Sequence, residues 1–274
     1  MNLLLKANFS RLWRSGAFWA SLAVMAGVGL FEVAVGVSAR RQGISVPLEN
    51  RYFVLAFMPG IVLSAFCSLF VGGEYSGGTI RNKITAGHTR DAVYLACLCT
   101  CIAAGVLACA AYIVPVAALG IPLLGMFQME LGAVAWFTLC VFVMTGSLCA
   151  LFILIAILNQ NRAVTAIICI TLAYFLLFLG IYLNNRLMEP EIIPAREYIE
   201  NGKILLREAE KNPAYAGGLK RAVYQALYSL PGCQAVQLAA EAENYPRALP
   251  LISALCAIAS TAAGLALFRR KDLK

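Results

Sequence analysis

Six stretches of predominantly apolar residues punctuate the chain, at 17–37, 52–71, 94–124, 131–158, 163–183 and 248–268. A bilayer core of about 30 Å takes about 20 apolar residues per helix, and each run reaches that length. None alternates apolar and polar positions with a period of two. Backbone groups cannot stay unpaired in lipid, so these runs predict helices rather than barrel strands. The expected fold class is an all-α membrane protein with six transmembrane helices, forming one domain over residues 1–274. Pro115 and Pro122 lie inside the third run, where a break is expected near Pro115 because proline removes a backbone donor.

The polar stretches between the runs carry their own pattern. Over residues 1–16, Leu3, Leu4, Leu5, Phe9, Leu12 and Trp13 interleave with Lys6, Asn8, Arg11 and Arg14, which predicts an amphipathic helix at the membrane interface. Residues 72–93 form a short polar connection with glycine breaks. The segment 184–247 exceeds the length at which a connection stays structureless, about 12–15 residues, and so is expected to fold. There Ala195, Tyr198, Ile199, Gly202, Leu205, Leu206 and Ala209 fit one helical face, with Pro190 and Pro194 before it and Asn212-Pro213 after it. A second helix is expected from Leu219, Ala222, Val223, Ala226, Leu227 and Leu230, ending at Pro231-Gly232. The stretch from Cys233 to Ala242 is then expected at the membrane surface, which makes 184–247 a helical extracytoplasmic loop.

Composition agrees: 61% of residues are hydrophobic and 13% charged, against roughly 25% charged in soluble domains. The formal net charge of +8 invites a nucleic-acid reading, but the charges follow topology. Lys6, Arg11 and Arg14, then Arg81, Lys83 and Arg90, then Arg162, then Arg269, Arg270, Lys271 and Lys274 fall on one side of the alternating spans. The short connections on the other side hold only Arg40, Arg41 and Arg51. The long segment carries eight basic and eight acidic residues, and such segments cross largely regardless of charge. Both termini are therefore expected in the cytoplasm. The first run exceeds the about 7–15 residues of a signal-peptide core, so a retained helix is expected despite the cleavage-like Val37-Ser38-Ala39.

Candidate chemistry is sparse. Nine of the ten cysteines lie inside the runs and Cys233 alone lies in a loop, so no structural disulfide is expected. The string Asn201-Gly202-Lys203-Ile204 lacks the upstream glycine and the hydroxyl residue of a phosphate loop. The single histidine, His88, has no Cys or carboxylate at ligand spacing, and there is no nucleophile elbow or metalloprotease string. No enzyme, cofactor or metal is expected in this chain. Glu32 lies in the outer half of the first run, where a charge is costly; it is either a functional candidate or an internally paired group. Asn159, Gln160, Asn161 and Arg162 read as a tight inner turn.

The stretch Gly73-Glu74-Tyr75-Ser76-Gly77-Gly78-Thr79-Ile80-Arg81-Asn82-Lys83, followed by Gly87 and Thr89-Arg90, resembles the type-two permeases of ATP-binding cassette (ABC) exporters. An acidic residue closes the second run, a Gly-Thr-hydrophobic-Arg string follows, and a Thr-Arg pair precedes the third run. The resemblance extends to six spans, an amphipathic leading helix, a large loop before the last span and the basic ending Phe268-Arg269-Arg270-Lys271-Asp272-Leu273. It implies a permease domain, a separate ABC ATPase subunit carrying ATP and Mg, and a second permease copy or paralogue completing one pathway. It also implies that Glu74, Thr79, Arg81, Lys83 and Arg90 belong to a cytoplasmic coupling loop over 72–93. Within the family the chain looks most like bacterial plasma-membrane permeases that export bacitracin or lantibiotics for self-protection.

Two other classes stand beside this reading. One is a stand-alone immunity or sensor protein that binds a peptide or lipid through the outer loop. The other is an ion-coupled secondary transporter, which calls for several intramembrane ionisable groups where Glu32 is the single candidate.

Overall fold

The computed structural model describes residues 2–159, 161–200, 203–240 and 248–271, with the backbone only at residues 76 and 196–207. Met1, Gln160, Asn201, Gly202, the stretch 241–247 with Ala242 and Arg247, and the ending Asp272-Leu273-Lys274 lie outside the described residues. In chain order come α1 (Asn2–Trp13), α2 (Gly16–Arg41), α3 (Leu48–Tyr52), a 3-10 turn (Phe53–Phe57), α4 (Met58–Ser76), α5 (Thr79–Thr85) and α6 (Arg90–Pro115). A π-helical stretch (Val116–Gly120), α7 (Ile121–Leu124), α8 (Leu131–Leu158) and α9 (Arg162–Met188) follow. The remainder is β1 (Ile192–Ile193), β2 (Arg196–Glu200), β3 (Lys203–Arg207), β4 (Glu210–Lys211), α10 (Gly218–Tyr228), α11 (Gln234–Ala240) and α12 (Leu249–Arg270).

Six helical segments are long and apolar enough to cross a membrane: Gly16–Arg41, Leu48–Tyr75, Arg90–Leu124, Leu131–Leu158, Arg162–Met188 and Leu249–Arg270. The chain is a multi-pass membrane protein with an all-α spanning domain. Its prolines act where the missing N–H costs least. Pro59 and Pro122 stand in the first turns of α4 and α7, where proline is tolerated. At Pro115 the third span does not end; its hydrogen bonds widen into the π-helical stretch and then resume the α form.

Burial separates centre from periphery. In the most apolar part of the second and fourth spans 61% is buried inside the protein, against 17% for the last span. The outer helices turn large apolar side chains outward, including Phe31 on α2, Phe178 on α9 and Leu255 on α12, as a lipid-facing surface requires. Close packing relies on small residues, as is usual between membrane helices. A Cβ on Gly29 of α2 would sit 2.8 Å from the Tyr112 carbonyl of α6. A Cβ on Gly264 of α12 would intrude on the phenol of Tyr94, itself fully buried on α6.

Two segments differ from expectation. The helix expected over 195–209 is an antiparallel ladder: β2 pairs with β3, Tyr198 opposite Leu205 and Glu200 opposite Lys203, and β1 pairs with β4. The sequence Asn201-Gly202 between the strands is the strongest short-range hairpin signal there is. The second helix is present as α10, but Leu219, Val223 and Leu227 on its apolar face point outward rather than into the protein. Beyond it, residues 231–238 are buried within the protein. Cys233 donates to the Leu176 carbonyl of α9 at 3.2 Å and is buried, and burial pushes its thiol up to about 11.

These contacts give a direct test by thermal unfolding in detergent. Gly264→Ala should cost about 1–3 kcal/mol, since α12 must move away from Tyr94. Gly132→Ala, where a Cβ meets nothing within 4 Å, should leave stability unchanged or slightly raised. Equal midpoints for the two variants would contradict the packing described.

Candidate functional site

The polar connection after the second span is built as a small helix between two glycine turns. α4 ends at Ser76, Gly78 takes a left-handed conformation (φ 65°), and seven residues of α5 follow. α5 closes with His88 N–H bonding the Lys83 carbonyl (3.2 Å) and Gly87 N–H bonding that of Ile84 (3.0 Å), with Gly87 at φ 91°. That is the Schellman arrangement, which only glycine adopts without strain. The hydroxyl of Thr89 then caps α6 by accepting from Ala92 N–H at 3.3 Å. The turns at Gly78 and Gly87 thus bound α5 as a discrete seven-residue element.

Glu74, in the last turn of α4, is wholly enclosed. Its Oε1 pairs with Arg11 of α1 and with Lys83 of α5, the latter at 2.6 Å, while the Cys97 thiol of α6 donates to Oε2 at 3.5 Å. Lys83 Nζ also donates to Asn8 Oδ1 at 2.8 Å. The Arg11 guanidinium lies over the Phe70 ring, 3.8 Å from its centroid, and donates to the Phe70 carbonyl. One carboxylate therefore joins four helices. A buried charge persists only when paired and hydrogen-bonded, and here each partner comes from a different element.

The other expected residues separate. Thr79 is half-buried at the first position of α5. The half-buried Arg90 turns away from α5 and donates to the carbonyls of Phe268 (2.9 Å), Arg269 (3.0 Å) and Lys271 at the end of α12. Beside it Arg269 pairs with Asp91 (2.9 Å), and Lys271 donates to the Ile157 carbonyl of α8 (2.6 Å). Arg81 is exposed, and its guanidinium has no partner among the described residues. Asn82 and Thr85 are exposed on the same short helix. Glu74 and Lys83 thus come together, Arg90 serves α12, and Arg81 faces outward.

Arg11, Asn8 and Cys97 complete the cluster and were not anticipated. Leu4, Asn8 and Leu12 form the buried stripe of α1, so a polar residue at the centre of an apolar i, i+4, i+8 row was the available signal. At the opposite end of the bundle Glu32 is paired with Arg51 at 3.1 Å. Nearby Glu49, also buried, accepts from Met129 N–H at 2.6 Å. Among the described residues no group of His, Cys, Asp and Glu is arranged to hold a metal ion. The arrangement fixes α5 against α1, α4 and α6.

No family model matches the chain, and none of the curated proteins matches it.

Removing Glu74 strands two cations. Glu74→Leu should cost on the order of 3–5 kcal/mol. Adding Lys83→Met should recover part of that loss, because one buried cation is then no longer unpaired. Thermal or denaturant unfolding of the two single variants and the double variant measures the coupling; strictly additive losses would show that the pair does not act as a unit.

Proposed function

We propose that this chain is the membrane permease subunit of an ATP-driven exporter and that α5 is the surface on which a separate ATP-hydrolysing subunit docks. One observation carries the reading. Within 72–90 the charged residues divide into Glu74, Lys83 and Arg90, which fasten the segment to the bundle, and Arg81, which stays exposed beside Asn82 and Thr85. A docking element that transmits rigid-body motion needs both properties, a fixed base and a free face. The Glu74 carboxylate, being enclosed, acts in this reading by holding α5 in place, and Arg81 makes the contact.

The rest of the reading follows from the distribution of charge and from the resemblance. The α5 end lies in the cytoplasm with both chain ends, where basic residues concentrate. ATP and Mg belong to the partner subunit, and a second permease copy or paralogue completes the pathway. The setting is a bacterial plasma membrane, and the exported substrates are antimicrobial peptides, drugs or lipid-like molecules, in the manner of self-protection permeases.

The test is gentle detergent purification of the tagged chain from its native membrane, with mass spectrometry of the proteins that accompany it. An ATP-binding subunit should co-purify with the intact chain. Arg81→Glu should lower its yield about tenfold by reversing a contact charge, and Glu74→Ala should lower it by loosening α5. If no ATP-binding subunit accompanies the intact chain under conditions that keep known complexes together, the reading is wrong and a stand-alone binding protein takes its place.

A further inference from the structure

A cavity of about 390 Å³ lies at the opposite end of the bundle from α5, between the end of α9, α10 and α11. Its lining includes Asn184 and Met188 of α9, Arg221, Gln225 and Tyr228 of α10, and Gln237 of α11. Beside the apolar Leu187 and Met188, the polar groups of this lining are amides, hydroxyls and one guanidinium, with no carboxylate among the described residues. Gln237 is only 7% exposed, and its Oε1 has no hydrogen-bond partner among the described residues. A buried amide end left unpaired costs about 1–3 kcal/mol, which a ligand hydroxyl or N–H entering the cavity would offset. Arg221 spends one donor on the Leu187 carbonyl, at 3.3 Å, out of the five that a guanidinium carries. The Tyr228 hydroxyl donates to Asn184 Oδ1 at 2.8 Å, so the Asn184 amide is turned by a fixed neighbour.

The position of the cavity identifies the phase its ligand comes from. Asn184 directly follows the apolar run of α9, so the cavity lies where hydrocarbon gives way to headgroups. Below it, Cys233 is fastened to the Leu176 carbonyl of α9. Above it, α10 has no acidic residue, carries Lys220 and Arg221, and turns Leu219 (82% exposed), Val223 and Leu227 outward. A helix that keeps Arg221, Tyr224 and Tyr228 toward the protein and shows an apolar side beside the exposed Lys220 is placed for a lipid surface rather than for water. Lys220 over the Tyr224 ring (5.7 Å) and Arg186 over that of Tyr182 (5.4 Å) add the aromatic and basic pairing typical of that depth. Met188 lines the cavity and is 60% exposed, so the cavity and the lipid-facing surface are continuous.

We infer that this cavity binds the phosphate-bearing head of a membrane amphiphile. Arg221 takes the phosphate, for which a guanidinium fork is suited. The amides of Gln237, Gln225 and Asn184 take the hydroxyl or ester oxygens of the head, and the tail lies against the exposed apolar face of α10. The Arg221 guanidinium favours an anionic head over a cationic one. The inference does not rest on the exporter reading, since it concerns the other end of the bundle and holds for either orientation in the membrane.

The experiment is native mass spectrometry of the full chain in detergent, titrated with phosphatidylglycerol and, separately, with a diacylglycerol of the same tails. The intact chain should retain phosphatidylglycerol and not diacylglycerol. Arg221→Ala should lower retention about tenfold, the effect of one charge-assisted hydrogen bond. Gln237→Leu should lower it several-fold, and Arg41→Ala, an exposed cation at the same end, should leave it unchanged. Gln237→Leu keeps the test decisive if loss of the Arg221–Leu187 bond disturbs folding. Displacement of the lipid by millimolar glycerol 1-phosphate would show that the phosphorylated head alone is recognised; no displacement would assign the site to the intact lipid. Equal retention of the two lipids by the intact chain, or undiminished retention in both Arg221→Ala and Gln237→Leu, would overturn the inference.

Discussion

Enclosing a carboxylate in a membrane protein is affordable only if cations are enclosed with it, and Glu74 sets that condition for one whole end of this molecule. Its two cationic partners come from α1 and α5, its thiol partner from α6, and the residue itself from α4. α4 and α6 are also held by deep apolar burial and α1 by Leu4 and Leu12, whereas α5 has little such support. α5 has one buried residue, Ile80, far too little apolar surface to dock a seven-residue helix, and α1 leaves Leu3 and Trp13 largely exposed. The ion cluster replaces the missing hydrophobic contact, and the exposed face of α5 exists because the opposite side is anchored.

A second constraint explains where the basic residues go. Helix C-termini leave carbonyls without partners, and at a membrane boundary water is not dependably at hand to satisfy them. Here cations fill the role at four helix ends. Arg90 serves α12, Lys271 serves α8, Arg40 donates to the Leu123 carbonyl of α7 at 2.8 Å, and Arg221 serves the Leu187 carbonyl of α9. Each cation also complements the negative end of a helix dipole. Basic residues at both ends of the bundle thus tie the helix ends together, and Arg221 extends the pattern to the cavity.

The six spans were legible because their signal is length and apolarity, which no tertiary contact can override in lipid. The loop over 184–247 was harder. Ala195, Tyr198, Ile199, Leu205 and Leu206 fit a 3.6-residue period by position, yet Tyr198 and Ile199 favour strands and Asn201-Gly202 is hairpin chemistry, so turn residues outweighed periodicity. The segment carrying Glu74, Thr79, Arg81, Lys83 and Arg90 was recognisable as a unit, but not which way each charge faces. That depends on Arg11 and Asn8, on a helix far away in sequence, and on the carbonyls at the end of α12. The cavity by α10 was invisible for the same reason, since its lining draws on α9, α10 and α11, and Gln237 stands out only once its surroundings are known.

The central claim is that one carboxylate holds α1 and α5 to the bundle together. Hydrogen–deuterium exchange of the intact chain and of Glu74→Gln, compared in the same detergent, tests it most directly. The account predicts that protection falls in both residues 2–13 and residues 79–85 in the variant, while α8 and the central part of α6 keep theirs. Loss of protection in only one of the two segments, or in neither, would contradict it.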